Sequence, residues 1–400
     1  MASYKYSVYN SAKQGGRRGG SSGRSGGGKR RGEYIDPARF VAVAKPTQAV
    51  DYQPKHNFED FQVEQLILDN LKAKGFTAPS PIQDQTIPLA LEGKDIIGLA
   101  NTGTGKTAAF AVPMLHALMS RQQARALIIA PTRELAQQIE VEARSIAKGS
   151  GLTGAVLIGG TAMGGQLRDL RNKPRIVIGT PGRIKDHMER GTLHLEHFNI
   201  VVLDEVDRML DMGFLPDVSS ILKELAPERQ SFFFSATMDP KVKNLIQTFS
   251  HDPVTVSVQS GESSSDHVNQ DVVRYSGTHD KMDKLHDILL SNDVTKVIVF
   301  DETQRSVERL SNELVARGFK ADAIHGGKTQ GQRQRALESF KASRTNILVA
   351  TDVAARGIDV SDITHVINYS QPQSYQDYVH RIGRAGRAGR VGHALTFINQ

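Results

Sequence analysis

The sequence predicts an α/β protein built from two tandem parallel-sheet domains. Three observations carry this expectation. From Asn57 onward, short β-branched runs alternate with longer amphipathic stretches, the pattern of βαβ units in a parallel sheet. The pattern restarts after a polar, aperiodic stretch at 259–266 that includes Gly261, Ser263, Ser264 and Ser265. The 400 residues also exceed one typical domain of roughly 100–200.

In the first half, the strand-like runs fall at 95–100, 126–130, 155–158, 175–179, 200–203 and 230–235. In the second they fall at 296–300, 320–324, 346–350 and 365–369, with a closing strand at 394–399. The expected division is a tail and connector at 1–55, a first domain at 56–256, a linker at 257–267 and a second domain at 268–400. Residues 33–55 read as a loosely ordered connector in which Pro37, Pro46 and Pro54 break any regular element.

The net charge of +7 is concentrated at one end. Residues 1–31 hold eight cations and no acid, so the remainder carries −1. Residues 11–32 are dominated by Gly, Ser and Arg, too polar to offset the entropy of ordering, and are expected to be disordered. Such a tail serves either as a sequence-tolerant RNA tether through phosphate neutralisation or as a solubilising leader, with room for a protein partner. Cysteine is absent, which excludes disulfides and thiolate metal sites and fits a reducing, cytoplasmic setting. The first 20 residues lack an apolar signal core, and no stretch approaches the roughly 18 apolar residues of a membrane span. The expected protein is therefore neither secreted by a standard signal nor membrane-spanning, with monomer as the default state.

The phosphate chemistry begins at Ala100-Asn101-Thr102-Gly103-Thr104-Gly105-Lys106-Thr107, between an apolar strand and a helix-like run. This fits the P-loop pattern with Ala100 in the first glycine position. Gly103 and Gly105 let backbone amides of the loop, with Thr102 and Thr104, close around phosphates. Lys106 neutralises the outer phosphate oxygens and the Thr107 hydroxyl suits Mg²⁺. Downstream, Val201-Val202-Leu203-Asp204-Glu205-Val206-Asp207 is an apolar strand ending in acids. Carboxylates at the C-terminal edge of a parallel sheet face its ligand crevice. Asp204 would hold magnesium through its water shell, and Glu205 would orient and deprotonate the attacking water.

Taken together, these motifs resemble the DEAD-box family of superfamily-2 RNA helicases over about residues 56–400. The resemblance implies two RecA-like domains that bind and hydrolyse ATP with magnesium and act on RNA. Gly75-Phe76-Thr77-Ala78-Pro79-Ser80-Pro81-Ile82-Gln83 looks like the adenine-reading Q motif, with the Gln83 amide on the adenine edge and Phe76 on the ring. Pro131, Thr132 and Arg133, the pair Gly159 and Gly160, and Thr180, Pro181, Gly182 and Arg183 are similar to RNA-contacting loops. Hydroxyls, amides and arginines there suit a sugar-phosphate backbone. Asp207 with Ser235-Ala236-Thr237 resembles the pair of motifs that couples hydrolysis to strand separation. The triplet could equally be a helix N-cap before Asp239-Pro240.

In the second half, 299–303 resembles the fourth motif, with Thr303 toward RNA, and Gln330 and Arg333 fit the Q-x-x-R element. The run 350–359 resembles the fifth motif, which implies Thr351 facing RNA and Gly357 and Asp359 facing the nucleotide. His380-Arg381-Ile382-Gly383-Arg384-Ala385-Gly386-Arg387 is the most distinctive string. Arg384 and Arg387, three apart on a helix-like turn, can reach the γ-phosphate together, and His380 joins the coupling set. Departures are Val206, which suits a strand end and gives Asp-Glu-Val-Asp, Ala385 where Thr is usual, and Asn101 where Gln is usual; none removes a reacting group. The implied function is an ATP-dependent RNA helicase that closes two domains over ATP and RNA, with an ATP-gated RNA clamp as the alternative output.

Overall fold

A computed structural model describes residues 33–44, 52–101, 103–258, 267–355, 360, 362–386 and 390–400. The tail at 1–32 and the site candidates Thr102, Gly357, Asp359 and Arg387 lie outside the described residues.

The first sheet contains β1 (Ile96–Leu99), β2 (Ala126–Ile129), β3 (Gly154–Leu157), β4 (Ile176–Gly179), β5 (Ile200–Leu203), β6 (Gln230–Ser235) and β7 (Val254–Ser257). Their order is β3-β4-β2-β5-β6-β1-β7, and every pair is parallel. The second sheet contains β8 (Val268–Tyr275), β9 (Val297–Phe300), β10 (Ala321–Ile324), β11 (Ile347–Ala350), β12 (His365–Asn368) and β13 (Gly392–Asn399). It runs β10-β11-β9-β12-β13-β8, again with every pair parallel. Leaving β7 aside, the two orders match position by position, so the fold expectation holds as a repeated architecture.

Both faces of each sheet are covered, which is why the central strands read as unbroken apolar runs. In β6, Phe232 and Phe234 face one core with Phe110, while Phe233 faces the other with Leu203 and Met209. All three rings are fully buried, each contributing on the order of 2–3 kcal/mol. Gly98 of β1 is required by this packing, because a Cβ there would lie 2.4 Å from the Phe234 ring.

Four sequence expectations change. First, β7 and β8 were not anticipated; β7 is a partly exposed edge and β8 interrupts its apolar residues with Asn269, Gln270 and Asp271. Second, Val206 does not end a strand. Glu205 adopts a left-handed conformation (φ 56°, ψ 55°) that turns the chain directly into the helix Val206–Asp211. Third, the turn expected to carry Arg384 follows the helix directly, the Arg384 amide donating to the Arg381 carbonyl at 3.2 Å, but it does not continue as a helix. The helix Tyr375–Ile382 ends at Gly383, and Gly386 at φ 70° turns the chain toward β13.

The fourth change concerns the connector. Pro37 opens a 3-10 turn, Pro37–Phe40, since the first helical position needs no amide hydrogen. The segment then docks on the second domain. Ala42 exchanges two backbone hydrogen bonds with Gln270 of β8, at 3.0 and 2.7 Å, in antiparallel sense. Ile35 and Phe40 complete a core layer with Val268, Tyr378, Ile382, Ala394 and Ile398. Phe40 is buried and meets Tyr378 edge-on at 4.7 Å, a contact contributing about 2–4 kcal/mol with its burial.

Candidate nucleotide and nucleic-acid site

Strand order creates the site. In the first sheet β5, β6 and β1 are neighbours, with Leu203 opposite Phe233 and Leu99 opposite Ser235. The phosphate loop after β1, the coupling triplet after β6 and the acids after β5 therefore emerge side by side at one sheet edge. The other half of that edge, after β3, β4 and β2, carries the candidate RNA loops. The second domain repeats this division: Gln330, Thr351 and Thr303 follow β10, β11 and β9.

Gly103 and Gly105 both take positive φ, 87° and 93°, and Gly105 caps the helix Lys106–Ser120. The Thr104 hydroxyl donates to the Asn101 carbonyl at 2.9 Å, closing the loop on itself. The loop is also gripped from the Q motif. The Ser80 hydroxyl donates to the Thr104 carbonyl at 2.8 Å, and the Gln83 amide nitrogen donates to the Gly105 carbonyl at 3.1 Å. The Gln83 oxygen accepts from the Ser80 amide at 3.0 Å, so Gln83 is also the third residue of a capping box on the helix Pro81–Leu91. Gln83 is buried, and its amide links the adenine-reading segment to the phosphate loop. Phe76 packs edge-on against Phe58 at 5.8 Å. It lines a cleft of about 470 Å³ with Gln83, Gly103, Gly105, Lys106, Thr107, Asp204 and Glu205, a size suited to a nucleotide. Gln334, Leu337 and Lys341 of the second domain line the opposite side, and the sequence reading had singled out none of them.

The two acids are held in opposite electrostatic states. Burial pushes the Asp204 carboxyl up to about 6, against the pull of Lys106, whose ammonium lies 3.9 Å away. Burial also penalises ionised Glu205, but Arg208, Lys106 and Arg384 outweigh it and hold that carboxyl down at about 2. Arg208, three residues along the turn, pairs directly with Glu205. Arg208 was missed in the sequence reading, although its i, i+3 spacing from Glu205 was visible there. The Asp204 carboxylate and the Thr107 hydroxyl are hard oxygen donors on one cleft wall. That donor set fits Mg²⁺, which takes few protein ligands and completes its shell with water and phosphate.

Asp207 binds the neighbouring strand end. Its Oδ2 accepts from the amides of Ala236 (3.0 Å) and Thr237 (2.9 Å) and from the Thr237 hydroxyl (3.2 Å). The Asp207 amide donates to the Ser235 hydroxyl at 3.3 Å, and that hydroxyl donates to the Thr237 carbonyl at 2.7 Å. The alternative reading of the triplet as a helix cap is not realised. Asp239 caps the helix Pro240–Phe249, accepting from Lys241 and Val242.

Thr132 caps the helix Arg133–Ile146 through its hydroxyl, which accepts from the Leu135 amide at 3.3 Å, beside buried Pro131. The Arg133 guanidinium lies over Gly159 and Gly160, where a Cβ on Gly160 would come 2.1 Å from its Nη1. Burial and the nearby charges of Arg333 and Arg183 oppose the positive charge of Arg133, while Glu134 supports it. An arginine keeps its proton regardless, so Arg133 adds positive charge beside Arg183, which pairs with Asp186 at 3.7 Å, and Arg333, which pairs with Glu134. Thr180 precedes the helix Pro181–Glu189, which carries Gly182 and Arg183, and Nη1 of Arg183 is buried without a protein partner.

The second-domain elements Gln330 and Arg333 turn onto the first domain. Arg333 pairs with Glu134 at 2.8 Å, and the Gln330 amide donates to Gln137 at 3.2 Å. Glu134 is buried at this junction and was not among the sequence candidates. Thr351 is buried at the end of β11, whereas Thr303 is exposed and caps the helix Gln304–Ala316. Arg381, also missed, is buried, donating to Asp352 at 2.7 Å and to the Ser370 carbonyl at 2.7 Å. It anchors the helix between His380 and Arg384, which share a small cavity with Asp352 and Asp377.

Fold and site together define a two-domain P-loop protein in which the phosphate loop and two acids line one nucleotide-sized cleft, with the coupling triplet at the neighbouring strand end. The DEAD/DEAH box helicase family model matches residues 80–245, and the helicase conserved C-terminal domain model matches 280–389. A DEAD-box ATP-dependent RNA helicase CshA from Bacillus licheniformis is 44% identical over 85% of this chain and 70% of that protein. The ATP-dependent RNA helicase CshA of Limosilactobacillus reuteri is 45% identical over 80% of this chain. The match spans 65% of the length of that relative. Among solved structures, Saccharomyces cerevisiae Dbp5 bound to RNA and ADP BeF3 aligns with a TM-score of 0.74 at 29% identity. That alignment covers 86% of this chain and 90% of Dbp5. The chain belongs to the DEAD-box ATP-dependent RNA helicase family.

Among the described residues, no helix is long and apolar enough to cross a membrane.

Proposed function

We propose that the chain is an ATP-dependent RNA helicase that hydrolyses ATP on binding RNA and locally unwinds or remodels RNA duplexes and RNA–protein complexes. The observation that carries this is the Asp207 bridge to Ala236 and Thr237. It ties the acid-bearing end of β5, the strand that borders the RNA half of the sheet through β2, to the end of β6, which lies beside the phosphate-loop strand β1.

ATP enters the cleft with its adenine on Phe76 and Gln83 and its phosphates on Gly103, Thr104, Gly105 and Lys106, joined by Thr102 of the same loop. Magnesium, when bound near Thr107 and Asp204, supplies charge neutralisation at the phosphate oxygens. Glu205, held ionised by Arg208, Lys106 and Arg384, accepts the proton of the attacking water. Arg384, with Arg387, offsets charge developing on the transferred phosphoryl group, and Gly357 and Asp359 hold the nucleotide from the second domain.

RNA lies along the β3-β4-β2 and β10-β11-β9 halves of the two edges. Pro131 to Arg133, Gly159, Gly160, Thr180 to Arg183, Thr303, Gln330, Arg333 and Thr351 supply backbone contacts there. Gln330 and Arg333 exchange their present hold on Glu134 for RNA, so ligand binding and domain arrangement are one linked equilibrium. Asp207, Ser235, Thr237 and His380 pass the state of the nucleotide to that surface. The basic tail adds non-specific affinity and a place for protein partners; the protein acts as a cytoplasmic monomer.

Steady-state ATP hydrolysis with and without single-stranded RNA, with DNA and GTP as controls, tests this reading. Strong stimulation by RNA with ATP alone, abolished in Lys106→Ala, is expected. Turnover retained by that variant, or hydrolysis indifferent to RNA, overturns it.

A further inference from the structure

The docked segment before the first domain gives the molecule a second covalent crossing between its two halves. Its far end sits on the second domain: Ala42 pairs with Gln270, the Ala44 amide donates to the Asn269 side chain at 2.8 Å, and the Glu33 amide donates to the Gln373 carbonyl at 2.9 Å. The Arg39 guanidinium lies 3.6 Å above the Tyr375 ring, and Phe40 packs on Tyr378. Both tyrosines belong to the helix Tyr375–Ile382, which leads directly into Arg384.

Its near end sits on the first domain at a single buried carboxylate. Asp84 accepts from the Tyr52 hydroxyl at 2.5 Å, from the Lys55 amide at 2.9 Å and from the His56 amide at 3.1 Å. Asp84 adjoins Gln83, whose amide holds the phosphate loop. The crossing thus joins the helix that carries the phosphate-loop grip to the helix that leads to the arginines.

We propose that segments 33–44 and 52–56, docked on the second and the first domain and joined by the chain between them, tether the two domains, limiting their separation and raising the effective concentration of Arg384 at the nucleotide cleft. Only seven residues separate Ala44 from Tyr52, so the two anchors cannot part by more than about 29 Å. The linker between β7 and β8 imposes a comparable limit, so the domains are held at two points. Undocking or lengthening one tether leaves the other to set the distance. Effective concentration falls roughly as the 3/2 power of tether length, so tripling one path predicts a loss of about two- to sixfold.

The experiment uses the full chain, which has no native cysteine to interfere with labelling. Dyes on Glu228→Cys and Ser291→Cys report the interdomain distance without relying on ATP hydrolysis, so failure of the helicase reading would leave this readout intact. Two variants are compared with the parent. Phe40→Ala removes the docking ring; an insertion of about 14 Gly/Ser residues between Gln48 and Ala49 keeps both anchors and triples the seven-residue path.

Both are expected to broaden and lengthen the ligand-free distance distribution. Both should also raise the RNA concentration for half-maximal ATPase about two- to sixfold, with saturated turnover within twofold. Phe40→Leu should restore most of the parent behaviour. Unchanged distances and half-saturation in the insertion variant overturn the proposal, including the case where Phe40→Ala alone has an effect, since that would mark a local brace rather than a tether.

Discussion

Asp204 and Glu205 adjoin in sequence, yet the protein sets their protonation in opposite directions. The folded Asp204 carboxyl sits at about 6 against an ordinary 3.8, with burial as the main cause. Between those values the folded state keeps a proton that the unfolded chain releases, so this carboxyl's contribution to stability falls as pH rises from 4 through about 6. Asp204→Asn should therefore raise stability above neutral pH, by on the order of 1–3 kcal/mol, while abolishing ATP turnover. Thermal unfolding of parent and variant from pH 4 to 8 checks this; the gap should close toward pH 4. Glu205 has the reverse sign. Despite burial, its arginine and lysine neighbours hold it near 2 against an ordinary 4.5, so its stabilising effect is present above 4.5 and lost as pH falls toward 2. Glu205→Gln is expected to keep ATP binding while lowering RNA-stimulated turnover at least a hundredfold, measured by nucleotide titration beside steady-state hydrolysis.

At the scale of elements, the junctions between strands and loops carry the function. The phosphate loop depends on Gly105, where a Cβ would come 2.4 Å from the Gln83 amide and 2.9 Å from the Ser80 hydroxyl. Gly105→Ala should weaken ATP binding at least tenfold, read by nucleotide titration, through both this clash and the positive φ. Asp207→Ala removes three accepted hydrogen bonds at the β6 end and should cost about 2–4 kcal/mol in chemical denaturation.

These junctions also mark the limit of sequence reading. The interior strands were legible because burial on both faces leaves an apolar run, as in Phe232-Phe233-Phe234. Edge strand β7 and the polar-interrupted β8 were not, because a partly exposed strand carries no such signal. The loops bearing Lys106, Asp204 and Ser235 could be assigned from their motifs, but their adjacency follows from strand order, which periodicity does not encode. Glu134, Arg208 and Arg381 escaped notice because each acts by meeting a partner that only the turn or tertiary fold supplies.

At the scale of the whole molecule, the Arg333–Glu134 ion pair crosses between domains in a largely dry setting. Truncating one member of such a pair leaves the other charge buried and typically costs 2–5 kcal/mol. Glu134→Ala should accordingly shift the RNA concentration for half-maximal ATPase by tenfold or more, read by titrating RNA at fixed ATP. The basic tail belongs to this scale as well. Removing residues 1–31 takes away eight cations, and the salt dependence of single-stranded RNA binding should flatten by up to about six in log–log slope.

The tether has a consequence for biosynthesis. Phe40 leaves the ribosome early, but its partners Tyr378 and Ile382 are made more than 300 residues later. At about 5–20 residues per second, that interval is roughly 20–70 seconds. Throughout it Ile35 and Phe40 have no native surface to cover them. Docking of the N-terminal segment is thus a late step of maturation, and the nascent chain presents a short apolar motif to chaperones for nearly the whole of its synthesis.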